Sequence, residues 1–273
     1  MTFKYMLAPM EDIASNAFRT ICFKYGADLT FTELARIEGL AKKNKCTWQR
    51  VVQKDETPVQ IQLLGSNEMQ LKRFLSMFEP QKGFCGFNLN LGCPSPQVIK
   101  IGQGAAMIKR VMKNKKLVDV IKDRGYNVSI KLRLGLNAFE KSRKVYLNLI
   151  DAVNADFFIV HARHAGQFYN EPADFSVYEE CVKTGKTIIA NGDIKTKEQI
   201  EFLKKIGVKG VMIGRTAVND PTIFARLKGI KHISKEEMIA EFNNLSEKYG
   251  EAFKYRKNVA KHSGTEEPFV EPQ

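Results

Sequence analysis

The sequence predicts an α/β fold, a (β/α)8 TIM barrel followed by a short C-terminal helical domain. Short β-branched or aromatic runs recur along the chain, and polar helix-forming stretches separate them. The length of 273 residues also suits one barrel with an appendage, since such barrels routinely occupy about 200–250 residues. In chain order, the strand candidates are Phe3–Pro9, Asp28–Glu33, Pro58–Leu64, Gly86–Leu91, Val128–Leu134, Asp156–His161, Thr187–Asn191 and Gly210–Gly214.

Helix-like segments lie between these candidates. An open, doubly wound sheet is the competing architecture, but it normally has fewer strands and a phosphate-binding turn after the first. No Gly-x-Gly-x-x-Gly follows Phe3–Pro9, so we assign residues 1–230 to the barrel. The helix candidates are Asn67–Phe78, Lys115–Arg124, Phe139–Val153, Phe175–Lys183 and Thr196–Ile206.

Residues 231–273 differ in character from the barrel. The segment Ser234–Glu237 has the pattern of a capping box, which predicts the start of a helix. A second helix is predicted near Glu251–Lys261. The first helix is supported by apolar residues at helical spacing, namely Met238, Ile239, Phe242, Leu245 and Tyr249.

The net charge is the first indication of a partner. The chain carries 43 Lys and Arg against 30 Asp and Glu, a formal charge of +13. Such an excess attracts polyanions such as nucleic acids, although a lysine-rich solvated surface is an equally good explanation on charge alone. Charge therefore supports an RNA partner without establishing one.

The cysteines and the absence of long apolar runs indicate the compartment. The cysteines are odd in number and widely spaced, without a Cys-x-x-Cys pair, which predicts reduced thiols and neither a disulfide framework nor a zinc site. No apolar run approaches the roughly 20 residues of a membrane span, and no signal pattern opens the chain. We therefore expect a cytoplasmic protein without membrane or metal. The cysteines are Cys22, Cys46, Cys85, Cys93 and Cys181.

Polar residues stand at the C-terminal ends of nearly all predicted strands. The active site of a (β/α)8 barrel lies at that end, and a polar strand end needs a partner. One such residue could simply cap a strand, but a ring of them predicts a ligand site. The ring consists of Pro9 and Met10, Glu33, Gln62, Asn88 and Asn90, Lys131 and Arg133, His161, Asn191–Asp193, and Gly214 with Arg215.

The residue types in this ring suit a flavin. An amide such as Gln62 can pair with the ring edge, and a cation such as Lys131 or His161 can stabilise the reduced anionic ring. The phosphate would lie at Asn191–Asp193 and Gly214–Arg215, on the last two strands. Three structural explanations stay open: a core ion pair for Lys131, a hydrogen-bonded core histidine at His161, and simple tight turns at the glycines.

Cys93 is the candidate catalytic residue. It follows the fourth strand in a segment where Gly92, Pro94 and Pro96 are expected to exclude regular structure and expose the thiol. Thiols are mostly protonated at neutral pH and can donate a proton. The alternative is a small hydrophobic residue of the loop, and a metal ligand is disfavoured because no other Cys or His stands at ligand spacing.

Taken in chain order, these motifs resemble those of the tRNA-dihydrouridine synthases. The resemblance covers about residues 6–224, and the combination of Asn-x-Gly-Cys-Pro with Lys-x-Arg-x-Gly and Asn-Gly-Asp is specific. The matching segments are Ala8–Glu11, Ile61–Gly65, Asn90–Pro94, Ile130–Gly135, Val160–Arg163, Gln167–Tyr169, Pro172–Phe175, Ile189–Ile194 and Met212–Arg215.

The resemblance implies a tRNA substrate, an FMN cofactor and NADPH as its reductant. Hydride would pass from flavin N5 to C6 of a flipped uridine, while Cys93 protonates C5 from the opposite face. Asn90, Arg133 and Tyr169 match positions that contact the target base. The implied cofactor-binding residues are Pro9, Met10, Glu11, Gln62, Lys131, His161, Asn191, Gly192, Asp193, Gly214 and Arg215.

Two departures from the family pattern are visible. The helical RNA-binding domain after the barrel is usually longer than residues 231–273, of which Gly250–Lys257 resembles its early part. Pro96 and Gln97 stand where relatives tend to have small or basic residues. A monomer is expected, because it suits a bulky RNA.

Two other functions remain open at this stage. One is an FMN barrel reductase of a free pyrimidine, similar to dihydroorotate dehydrogenase. The other is a basic RNA-binding protein that keeps an inert barrel. The positive charge and the Gln167–Tyr169 segment favour RNA over a free pyrimidine, and the complete flavin-type residue set with Cys93 disfavours the inert barrel.

Overall fold

The computed structural model describes residues 2–264 and confirms the predicted alternation of strands and helices. The strands are β1 (Lys4–Leu7), β2 (Thr30–Phe31), β3 (Ala35–Arg36), β4 (Val59–Leu64), β5 (Phe84–Leu91), β6 (Val128–Leu132), β7 (Phe157–His161), β8 (Ile188–Asn191) and β9 (Gly210–Ile213). The helices of the barrel are α1 (Asn16–Lys24), α2 (Ile37–Ala41), α3 (Lys45–Gln49), α4 (Glu68–Leu75), α5 (Pro96–Lys100), α6 (Val111–Lys122), α7 (Ala138–Ser142), α8 (Val145–Ala152), α9 (Val177–Lys183), α10 (Lys197–Lys205), α11 (Arg215–Asn219) and α12 (Ile223–Lys228). Two further helices follow, α13 (Lys235–Lys248) and α14 (Phe253–Ser263).

The sheet closes into a parallel barrel. Its strand order is β1-β9-β8-β7-β6-β5-β4-β2, with β3 also paired to β4. A parallel bridge between Met6 and Leu29 joins the two ends, and the N–H of Leu7 donates to the carbonyl of Leu29 at 3.0 Å. The competing open sheet is therefore wrong.

The second predicted strand is divided into β2 and β3. The interruption lies at Thr32, whose hydroxyl accepts the N–H of Gln62 at 3.0 Å and donates to the carbonyl of Glu33 at 2.8 Å. A side-chain oxygen thus replaces a backbone partner in the ladder. Both short strands still lie beside β4, so the position of the second strand in the barrel is as predicted.

The helix predicted over Phe139–Val153 is also divided, into α7 and α8. Lys144, between them, has a φ of 52°, in the left-handed region that a right-handed helix cannot contain. Pro96 is a second correction, because it does not exclude regular structure. It opens α5, where the missing N–H of proline is not needed.

The barrel interior has two chemically different halves. One half is apolar and consists of Met6, Ala8, Phe31, Ile159, Ile189 and Met212. The other half, on β4 to β6, holds the buried polar side chains of Gln60, Gln62, Asn88 and Ser129. The larger apolar core lies between the outer faces of the strands and the surrounding helices.

The predicted capping box begins α13, since Ser234 and Glu237 bond each other's backbone N–H groups. The segment packs on the barrel: the Phe242 ring contacts Phe18 edge to face at 5.8 Å, and Glu251 accepts the N–H of Ala17 at 3.0 Å. Residues 265–273 of the predicted domain 231–273 lie outside the described residues. Across residues 2–264, no helix has both the length and the apolar character that a membrane span requires.

Candidate active site

Two adjoining cavities open at the C-terminal ends of the strands, with volumes of about 600 and 700 Å³. They share Pro9, Met10, Lys131, His161 and Tyr169. Every residue that the resemblance assigns to the cofactor, to the target base or to catalysis lines one or both cavities, whereas Glu33 and Asn88 of the predicted polar ring line neither. The first also has Glu11, Gln62, Asn90, Cys93 and Arg133, and the second also has Asn191, Gly192, Asp193, Gly214 and Arg215.

Cys93 lies on the wall of the first cavity, in the loop that follows β5. Its thiol is half-buried rather than fully exposed. The side-chain oxygen of Asn90 accepts the N–H of Gly92 at 3.1 Å and that of Cys93 at 2.9 Å. The Cys93 carbonyl accepts the N–H of Ala105 at 3.1 Å. The loop is therefore fixed on both sides of the thiol.

The close approach on the Ala105 side depends on Gly104. It has a φ of +57°, and a Cβ there would lie 2.7 Å from the carbonyl oxygen of Cys93. We predict that Gly104→Ala lowers the free energy of unfolding by at least about 1 kcal/mol, because both the backbone and the contact become strained. Chemical denaturation measures this change.

Gly125→Ala is the matched control. Gly125 has a φ of +77°, but a Cβ there would have nothing within 4 Å. It carries the backbone strain without the steric contact. Equal destabilisation by the two variants would contradict the proposed role of close packing at Cys93.

Cations dominate the floor of the cavities. Burial, then the neighbouring charge of Arg133, lowers the pKa of Lys131 to about 7. Burial also holds the pKa of His161 well below its ordinary value, and the charges of Lys131 and Arg133 add to this effect. Within residues 2–264, neither Lys131 nor Arg133 forms an ion pair with a carboxylate. The site thus suits an anion, and His161 is neutral at physiological pH.

Tyr169 lines both cavities, and its ring contacts cationic and aromatic side chains. The guanidinium carbon of Arg215 is 4.1 Å from the ring centroid, a cation–π contact. The ring stacks on His161 with centroids 6.2 Å apart, and its hydroxyl is 3.4 Å from Nη2 of Arg133. More than half of the side chain remains exposed, so a planar ligand can reach it.

A family model of dihydrouridine synthase matches residues 6–267. The chain belongs to the dihydrouridine synthase family. A relative from Aquifex aeolicus, described as a probable tRNA-dihydrouridine synthase, is 30% identical over 88% of this chain and 78% of its own. A second from Bacillus subtilis, described as probable tRNA-dihydrouridine synthase 2, is 28% identical over 85% of this chain and 74% of its own.

Solved structures support the fold. A 2-naphthoyl-CoA reductase complex has a TM-score of 0.58 at 11% identity, covering 83% of this chain and 50% of that one. Morphinone reductase in complex with tetrahydroNAD has a TM-score of 0.54 at 11% identity, covering 86% of this chain and 90% of that one. At such low identity these similarities concern the barrel alone.

Two acidic residues that the resemblance assigns to the cofactor, Asp193 and Glu11, form ion pairs within the protein. The carboxylate of Asp193 pairs with Arg163 and with Arg215, at 3.1 Å from the latter, so it orients two cations. Glu11 forms an ion pair with Arg50 at 2.6 Å. Both carboxylates line a cavity, but their oxygens already have protein partners.

Two arginines were not singled out by the sequence: Arg50, which lines the first cavity, and Arg163, which lines neither cavity but contacts Asp193 and His161. Arg163 is fully buried and donates through Nε to the carbonyl of Glu171 at 2.9 Å, which holds the Tyr169 loop. Arg163 lies in the Val160–Arg163 segment that resembles the family, and this position was the one sign of its importance in the sequence. Arg50 lies just beyond α3 and lines the first cavity, and nothing local in the sequence distinguished it.

Acidic groups near the first cavity are satisfied by protein contacts. Glu11, Asp12 and Glu33 have carboxylate oxygens within 4.8 Å of one another. Asp12 pairs with Lys254, and Glu33 accepts the hydroxyl of Tyr255 at 2.6 Å. This cluster therefore joins α14 to the barrel mouth.

The donor set of the two cavities fits a flavin nucleotide. The first cavity offers amide and ammonium donors from Gln62, Asn90 and Lys131, which match the carbonyl oxygens and nitrogens of the ring edge. The second offers Arg215 and the glycine Gly192, whose φ of +121° disfavours any side chain. Because Gly192 lines the second cavity without a side chain, a phosphate there can approach its backbone closely.

Proposed function

We propose that this chain is a tRNA-dihydrouridine synthase, which reduces the C5=C6 bond of uridines in tRNA. One observation carries the proposal: Cys93 and the flavin-type donors Gln62 and Lys131 line the same cavity. The two bacterial relatives extend the proposal to tRNA, since each is described as a probable tRNA-dihydrouridine synthase. This supports RNA over a free pyrimidine.

The cofactor that we propose is FMN, reduced by NADPH. Pro9, Met10, Lys131 and His161, which line both cavities, would hold the ring together with Gln62 of the first cavity, where Glu11 supports Arg50. When bound, the flavin supplies a hydride to C6 of the uracil ring. The phosphate would be held by Asn191, Gly192, Gly214 and Arg215, with Asp193 orienting Arg215.

Cys93 would act as the general acid. Its Sγ carries the proton that C5 receives, and solvent restores that proton after each turnover. The Asn90 side chain holds the backbone of Cys93, so the thiol keeps one position in the cavity wall. Arg133 and Tyr169, which contact each other and line the first cavity, would bind the target base.

Residues 231–273 and the net charge of +13 would serve the RNA substrate. A uridine can enter the cavity only after leaving its own stack, and phosphate contacts from Lys and Arg offset the cost of unstacking. We expect the protein to act in the cytoplasm as a monomer, with the helices α13 and α14 forming part of the tRNA-binding surface.

Mapping dihydrouridine in tRNA from cells with and without this gene tests the function. We expect one or more positions to lose the modification when the gene is deleted and to regain it when the gene is restored. An unchanged dihydrouridine profile, measured in cells where no other family member reduces the same position, would contradict the proposal.

A further inference from the structure

A continuous line of hydrogen bonds runs from the Cys93 loop into the barrel core. The N–H of Cys93 donates to Oδ1 of Asn90 at 2.9 Å, and Nδ2 of Asn90 donates to Oε1 of Gln62 at 2.9 Å. Nε2 of Gln62 then donates to Oδ1 of Asn88 at 2.7 Å. We call this line, with its continuation below, the amide relay.

Beyond Asn88, the amide relay continues through Ser129 and ends at Gln60. Nδ2 of Asn88 donates to Oγ of Ser129 at 2.7 Å, and the Ser129 hydroxyl donates to Oε1 of Gln60 at 2.5 Å. Gln60, Asn88 and Ser129 are almost completely buried and line neither cavity. They cannot contact a ligand directly.

Chemistry fixes the direction of the relay. A backbone N–H can only donate, so the Cys93 end forces Asn90 to present its oxygen there and its nitrogen to Gln62. Gln62 must therefore present its oxygen to Asn90 and its nitrogen to Asn88. Each of the amides of Gln62 and Asn90 therefore keeps one N–H for a ligand in the cavity. A reversed Asn88 would place two nitrogens against each other at Gln62.

The position of these residues also requires an explanation. Barrel interiors are usually filled by Val, Ile and Leu, as in the apolar half formed by Met6, Ile159 and Ile189. A buried polar network is favourable only when every member is satisfied, and it is worse than an apolar core otherwise. Its location directly beneath Cys93 and Gln62 indicates a role in the site above it.

We propose that Gln60, Asn88 and Ser129 are positioning residues, which hold the amides of Gln62 and Asn90 in the orientation that the Cys93 N–H sets and thereby support the Cys93 loop. The proposal rests on the proposed function for the roles of Gln62 and Cys93. Its geometry and its first test are independent of tRNA and of the cofactor.

The test uses Ser129→Ala, which removes the hydroxyl that links Asn88 to Gln60. The rate of Cys93 alkylation by iodoacetamide, followed by peptide mass spectrometry, should rise by about threefold to tenfold, as expected from the loss of about one net hydrogen bond. Cys85, on β5 at the opposite end of the barrel from the Cys93 loop, is the internal reference and should keep its rate. Ser129→Thr retains the hydroxyl and should restore the wild-type rate at Cys93.

A second readout reports the orientation of Gln62. The dissociation constant for FMN, from quenching of flavin fluorescence, should rise in Ser129→Ala by a similar factor. If Ser129→Ala does not fold, Gln60→Met can replace it, because it removes only the last acceptor of the relay. We then expect smaller increases in the Cys93 alkylation rate and in the dissociation constant for FMN.

Ile189→Val is the matched control, because it removes one methyl group from the apolar half of the same interior. It should leave Cys93 alkylation and FMN affinity within twofold of wild type. Equal effects of Ser129→Ala and Ile189→Val, or an unchanged Cys93 rate in both relay variants, would overturn the proposal. Absence of tRNA reduction by the wild-type protein would instead contradict the proposed function and leave the alkylation result valid.

Discussion

Replacement of Cys93 by alanine is expected to lower the rate of dihydrouridine formation by about 10²- to 10⁴-fold, the usual contribution of a positioned general acid. The flavin should remain bound and NADPH should still reduce it, because Cys93 is not among the residues proposed to hold the cofactor. Stopped-flow flavin absorbance measures reduction, and mass spectrometry of tRNA measures its product.

Cys85→Ala is the control for Cys93→Ala. Cys85 is also half-buried and lies on β5, but it does not line either cavity. Its thiol donates to the carbonyl of Gly83 at 3.3 Å, at the other end of the barrel. Both half-reactions should proceed at wild-type rates in this variant. An unchanged dihydrouridine yield in Cys93→Ala would remove Cys93 from the mechanism.

Much of the fold and the site could be predicted because barrels obey simple placement rules. Strands that are buried on both faces have short apolar sequences, and their C-terminal ends meet at one end of the barrel. Residues as distant as Gln62 and Arg215 could therefore be assigned to one site. The structure places both at the adjoining cavities.

Features that depend on partners from distant segments could not be predicted. Lys144 carries no local signal for its left-handed conformation, and the division of the second strand depends on a bond from Thr32 to a neighbouring strand. Asn88 was identified only as a polar strand end. Its partner Ser129 follows from the pairing register of β5 and β6, in which the two residues lie side by side.

Electrostatics also required the three-dimensional arrangement. A core ion pair was one explanation for Lys131, but no carboxylate among the described residues pairs with it, and Arg133 adds a second positive charge nearby. The lowered pKa of Lys131 therefore reflects burial and repulsion rather than a satisfied partner. An anionic ligand would raise the pKa of Lys131 again, because it would favour the charged ammonium.

Replacement of Lys131 by methionine is expected to have opposite effects on stability and on cofactor binding. The pKa of Lys131 is about 7 in the folded protein, well below its ordinary value in an unfolded chain. Between these two values the unfolded chain binds more protons, so the stability of the flavin-free protein rises with pH across that window. Lys131→Met should make the flavin-free protein more stable at pH 7. It should also remove the contribution of Lys131 to the increase in the free energy of unfolding with pH.

The same variant should bind FMN about tenfold to 100-fold more weakly, the range expected for a lost charge-assisted hydrogen bond. In the wild type, affinity should fall as pH rises through about 7, because the free site loses the ammonium charge. Fluorescence titration with FMN at several pH values and denaturation of the flavin-free protein give both quantities. Lys116→Met, on the exposed face of α6, is the control and should change neither. Lower stability at pH 7 together with wild-type FMN affinity would show that Lys131 serves packing alone.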